Sequence, residues 1–263
     1  MPESRSSSLP TVLSIVVLIG IIGYAVYQKI EHKTQPATTV PFNSIAYVTI
    51  AKQEEGQVPE YTLDIEYPEF KGLGKIAEET LNALIATSAH ATVAAFKRDL
   101  VGTLSNASDT PPSTLSMRYR VAEASDRIIS VVFDTSAYTA GAAHPNNFIS
   151  TFNYRVDTGA PFVLSDLFKK DSAYLAILAP LARERLLANP QVAGVVSATW
   201  LDQGTATKPE NFSTFTLTSQ GLTIYFNPYQ VAAYAAGVIT VTIPLPELSD
   251  IADPEGPLSQ LLK

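Results

Sequence analysis

The chain has 263 residues, 46% of them apolar and 16% charged, and no cysteine. That length suits one large domain or two smaller ones with real cores, and the missing cysteines exclude disulfide frameworks, thiolate chemistry and cysteine metal sites. The net charge is −7 and no basic run exceeds the pairs Lys97-Arg98 and Lys169-Lys170, so the clustered cations that nucleic-acid binding needs are absent and that class is excluded.

The N-terminus reads as a short stub (residues 1–8), a transmembrane anchor (9–28) and a polar, Pro- and Thr-rich linker (29–42). No charge occurs between Arg5 and Lys29, and a helix from Leu9 to Tyr27 would span roughly 28 Å, close to a hydrocarbon core. Tyr24 and Tyr27 mark one interface. The competing reading is a secretory signal cut near Ala25; it lacks a polar region before the cut, and the apolar run continues past it as Val26-Tyr27. Flanking charge is balanced, with Arg5 on one side, Lys29 and Lys33 on the other, and Glu3 and Glu31 offsetting them.

Folding is expected from residue 43, in an N-terminal α+β module (43–143), a C-terminal α+β module (144–248) and a tail (249–263). Ser44 to Lys52 and Val58 to Tyr67 alternate as strands, with Pro68 as a stop. Leu73 to Leu104 has helical periodicity, with Ile76, Leu81, Leu84, Ile85, Ala91, Ala95, Phe96 and Leu100 facing inward, and His90 off that stripe as a surface residue. Ser105 to Ser113 is a loop by composition. Leu115 to Ala122 and Arg127 to Thr135 form a hairpin whose second strand looks buried on both faces, and Phe148 to Val156 is the next strand.

Phe162 to Phe168 is a short apolar step with Ser165 as a capping candidate. Asp171 or Ser172 caps a helix from Ala173 to Ala188, with Leu175, Leu178, Leu181 and Leu186 inward and a kink or break at Pro180. Phe212 to Thr218, Leu222 to Phe226 and Val238 to Ile243 complete a second set of strands. Helices follow strands without regular alternation, which predicts an α+β fold with mainly antiparallel sheets, two modules and one long helix in each.

The most specific stretch is Tyr138 to Gly159. Asp157-Thr158-Gly159 mimics the aspartic-protease motif, but those enzymes need two such aspartates sharing a proton, and no second copy exists. Gly141, Asp157, Gly159 and, later, Gly237 therefore read as structural turn residues. His144 has neither a serine elbow nor nearby metal-type residues to work with. A hydrolase built on His144 and Asp157 is the least favoured reading, and no catalytic constellation, cofactor or metal site is expected. Tyr138, His144, Asn146, Asn147, Tyr229 and Tyr234 are the candidate binding surface, because exposed aromatics beside small residues suit protein or glycan contacts.

Gly141-Ala142-Ala143-His144, the run Asn153 to Gly159, Leu164-Ser165-Asp166-Leu167-Phe168, and Tyr229-Gln230-Val231-Ala232-Ala233-Tyr234-Ala235-Ala236-Gly237 together resemble the RsiV-type extracytoplasmic domain family. That family includes the ectodomain of a lysozyme-sensing anti-sigma factor and the non-catalytic N-terminal modules of PdaC-type peptidoglycan deacetylases. The resemblance covers about residues 43 to 248. It implies a PdaC N-terminal-like module, an RsiV C-terminal-like module and an extracytoplasmic, cell-envelope location. The stub is too short for a sigma-binding segment, and no deacetylase domain follows Leu248. The resemblance thus leads to a non-enzymatic, single-pass binding protein whose ligand is a lysozyme-type muramidase or peptidoglycan; the alternative is an accessory module of a separate envelope enzyme or signalling complex.

Overall fold

The computed structural model describes residues 33–34, 45–57, 59–101 and 111–262. The anchor expected over 9–28, most of the linker and most of the 105–113 loop lie outside them. Among the described residues no helix is long and apolar enough to cross a membrane.

One sheet has seven strands in chain order: β1 (Lys33–Thr34), β2 (Ala46–Gln57), β3 (Glu60–Lys71), β4 (Ser113–Ala124), β5 (Ile128–Tyr138), β6 (Asn146–Arg155) and β7 (Ala160–Pro161). Every neighbouring pair is antiparallel except β3 and β4, which run parallel. A parallel pair needs a long crossover, and helix α1 (Lys75–Leu100) supplies it. A second sheet has the order β10-β9-β8, from β8 (Phe215–Thr218), β9 (Gly221–Phe226) and β10 (Ile239–Ile243). Four helices complete the second half: α2 (Tyr174–Ala188), α3 (Pro190–Ala193), α4 (Ala198–Gly204) and α5 (Pro257–Leu261). The α+β class with mainly antiparallel sheets holds.

Leu81, Ile85, Phe96 and Leu100 of α1 pack with Leu63, Ile65, Leu115, Met117, Ile129, Val131 and Phe133 on one face of the large sheet. Asn82 closes the end of β3, its amide exchanging hydrogen bonds with the backbone N and O of Phe70 at 2.8 and 2.9 Å. A second core joins Leu178, Ala182 and Leu186 of α2 to Leu217, Ile224, Phe226, Val241 and Ile243 of the small sheet. As the sequence implies, β5 is central, with Ile128 to Phe133 buried throughout.

The two sheets meet along a polar seam. Ser130 donates to Asn153 Oδ1 at 2.6 Å and accepts from Leu217 N at 3.2 Å, while Asn153 Nδ2 donates to Phe215 O at 2.9 Å. Thr151 accepts from Phe215 N at 3.2 Å, and Glu123 from Ser219 N at 3.1 Å. The backbone of β8, an edge strand, is thereby satisfied by side chains of the large sheet, as a buried edge requires.

Several local expectations change. Strand β3 runs on through Pro68 to Lys71, paired with β2 along its whole length, while β4 pairs only with Tyr61 to Ile65. Ile76 is 81% exposed; it stands roughly 140° around the helix from Leu81, off the buried stripe. Helix α2 continues through Pro180, which is exposed, so water can serve the carbonyl freed one turn earlier. Neither Asp171 nor Ser172 caps α2, whose N-cap is Ala173. In the short 3-10 turn Leu164–Leu167, Asp166 rather than Ser165 supplies the side-chain bond, accepting from Val163 N at 2.8 Å.

Chain organisation also differs at two places. Strands β6 and β7 belong by pairing to the first sheet, so a boundary at 143/144 would cut the β5–β6 hairpin. Residues 249–262, expected as a tail, fold back: Ala252 and Leu258 are buried in the second core. Gln260 then bonds both to Arg127, which donates to its backbone oxygen, and to Asp157 at 2.6 Å.

Candidate functional site

The β5–β6 hairpin and the loop between β9 and β10 come together at one end of the large sheet. Asn227 makes the join. Its amide accepts from Ile149 N at 2.7 Å and donates to Ile149 O at 3.0 Å, filling the outer edge of β6 as a strand would. Tyr229 follows with φ of +70°, its backbone N–H donating to Ala232 O at 3.1 Å. Gly237 ends the loop at φ +67°, and Gly141 turns the hairpin at φ +84°; both conformations favour glycine.

Four rings line up there. His144 stacks on Tyr234 with centroids 4.1 Å apart and planes at 29°. Tyr234 lies 5.5 Å from Tyr229, and Tyr229 lies 5.9 Å from Trp200 at 63°, within the range of favourable aromatic pairs. The Tyr234 hydroxyl donates to Pro145 O and accepts from Asn147 Nδ2 at 3.0 Å. His144 Nδ1 lies 2.8 Å from Pro145 O. The hairpin and loop are thus pinned ring against ring, with Tyr229 still 57% exposed.

Of the residues expected on this surface, His144, Asn147, Tyr229 and Tyr234 are in direct contact. Asn146 is exposed beside Asn147 at the start of β6. Tyr138 ends β5 opposite Thr114, on the β4 side, and takes no part in the ring contacts. Trp200 is the member that sequence reasoning missed. It sits on α4, whose Ser197 accepts a hydrogen bond from Trp200 N at 3.2 Å. The signal available was a serine three residues ahead of the chain's single tryptophan.

Asp157 belongs to the other end of β6. Arg155 holds it through Nε at 3.0 Å and a terminal nitrogen at 2.7 Å, and Thr158 N donates to it at 2.8 Å. The Arg155 bonds, chiefly, keep its carboxyl below the usual range against the opposing effect of burial. Gly159 completes this turn at φ +67°. With the ten residues of β6 between them, His144 and Asp157 stand about 30 Å apart. No proton can pass directly between them. Among the described residues no three His, Asp or Glu side chains gather as a metal site would need.

Residues 54–147 match the family described as "Deacetylase PdaC", and residues 165–245 match the "Protein of unknown function (DUF3298)" family. The chain is 26% identical over 254 residues to a peptidoglycan-N-acetylmuramic acid deacetylase PdaC of Bacillus subtilis, covering 95% of the chain and 51% of that relative. It therefore spans about half the relative's length. Crystal structures of DUF3298 family proteins from Bacteroides fragilis and Pseudomonas aeruginosa share the fold. The first has a TM-score of 0.61 at 18% identity, covering 83% of this chain and 98% of that one. The second has 0.60 at 17%, covering 81% and 95%.

These matches correct the expectation of a non-enzymatic protein, since both the relative and the family over 54–147 carry a deacetylase's name. They support the PdaC-like part of the expected resemblance and not its RsiV-specific part. The chain is thus similar to PdaC over its first half and to DUF3298 proteins over its second, within one α+β fold.

Proposed function

We propose that this chain is a membrane-anchored protein of the bacterial cell envelope that engages peptidoglycan and serves its deacetylation. The observation that carries the reading is the similarity of 95% of the chain to half of a peptidoglycan deacetylase. In this reading residues 9–28 span the cytoplasmic membrane once and the folded part faces outward; cleavage near Ala25 would release the same domain. A second reading takes the ligand to be a basic, lysozyme-type muramidase, bound in the manner of an RsiV-type sensor. Its support is the acidic charge of −7, which favours a cationic partner.

The test uses the full chain in detergent with purified sacculi. Co-sedimentation is expected, with acetate released either by the chain alone or by the chain with an envelope extract. The first outcome puts the chemistry in this chain and the second in a partner; no binding and no acetate in either would reject the proposal. Retention of lysozyme but not sacculi in a salt-titrated pull-down would select the second reading.

A further inference from the structure

We infer that the ring ladder Trp200–Tyr229–Tyr234–His144 is a carbohydrate platform, on which Tyr229 stacks against a sugar ring of an uncharged N-acetylated glycan while Asn146 and Asn147 bond its polar groups. The inference rests on the peptidoglycan reading above and gives it a site.

Backbone conformation is the leading argument. Tyr229 holds a left-handed φ of +70°, and among the described non-glycine residues only Asp171 does the same. An L-residue with a bulky side chain is strained there, and glycine is not. Packing does not account for the tyrosine, because 57% of it is exposed. Its hydroxyl makes no hydrogen bond with the described residues. A large ring is therefore kept, at a cost, where it can meet something outside the protein.

The surroundings indicate what that is. Tyr229 contacts the rings of Trp200 and Tyr234, and His144 stacks on Tyr234. Such a row offers electron-rich ring faces to the C–H faces of pyranose rings. Asn146 is exposed and its amide has no partner among the described residues, while Asn147 uses its Nδ2 on Tyr234. None of these six side chains is an acid, a lysine or an arginine. Charge complementarity thus favours a neutral glycan over a cationic protein or a phosphate.

Trp200 is the chain's single tryptophan, so its emission reports from within the ladder. The experiment titrates the full chain in detergent with a tetramer of β-1,4-linked N-acetylglucosamine. A saturable emission change is expected. Tyr229→Ala is expected to weaken affinity about tenfold or more. Tyr229→Gly should weaken it equally while leaving the thermal midpoint unchanged or higher, since the strain is relieved. Undiminished binding by Tyr229→Gly would overturn the inference, and so would a fall in its midpoint, which would make the ring structural. If the sugar leaves wild-type emission unchanged, co-sedimentation with sacculi separates the two failures. Retained sedimentation discards the ladder and keeps the peptidoglycan reading; lost sedimentation discards both. Retention of lysozyme in a pull-down together with no emission change from the sugar would also overturn the platform, in favour of a protein ligand.

Discussion

Glu54 sits at the edge of the large sheet among Lys52, Tyr61 and Lys97. Partial burial raises its pKa, but hydrogen bonds from Lys97, Tyr61 and Lys52 outweigh that and bring it to about 2. A carboxyl whose folded pKa lies below its unfolded value gives stability that is complete above the unfolded value and is lost as pH falls through the folded one. For Glu54 that window runs from about 4.5 down to about 2. Glu54→Gln should therefore lower the thermal midpoint most above pH 5, and the gap to wild type should close toward pH 2; a pH series of melts checks this. At this scale the sequence was partly readable. Asp157-Thr158-Gly159 could be assigned to a turn because the motif occurs once and Arg155 interrupts the apolar run such a catalytic motif usually follows. Trp200 could not be joined to Tyr229, because no local periodicity links positions 29 residues apart across a separate strand pair.

Strands were legible as elements wherever one face met the core, since Tyr61, Leu63, Ile65 and Tyr67 alternate without a gap. The short helices were not. Helix α4 has seven residues and α5 five, too short to show a helical stripe or to be stable alone, so tertiary contacts define them. Gly204 shows how closely α4 is held. A Cβ there would come within 2.2 Å of Gln230 O, in the loop that carries Tyr229. Gly204→Ala should cost roughly 1–3 kcal/mol, measured by urea unfolding. The same change should shift the emission of Trp200, because that ring rides on α4 and meets Tyr229 across the same contact.

The seam between the sheets ties the two cores into one cooperative unit. Ser130 and Asn153 within it are buried, so removing the Asn153 amide leaves a buried carbonyl unsatisfied. Asn153→Leu strands Phe215 O, while Ser130 keeps its bonds to the Leu217 backbone, and should cost about 1–3 kcal/mol. A single calorimetric transition is expected in wild type, with the second half melting first in this variant. Leu258 of α5 is fully buried, and Leu258→Ala should cost roughly 2–5 kcal/mol in equilibrium unfolding. The halves themselves were visible in the order of elements, but the seam was not, because Ser130 and Asn153 look like ordinary polar positions within apolar strands. The docking of α5 also fixes the position of Gln260. Gln260 is bonded to Arg127 and Asp157 at the foot of β6, a strand's length (about 30 Å) from the ring ladder. A tag, fluorophore or surface linkage attached beyond α5 would leave from that foot, so a sensor chip loaded through such a linkage would present the aromatic end toward the flow.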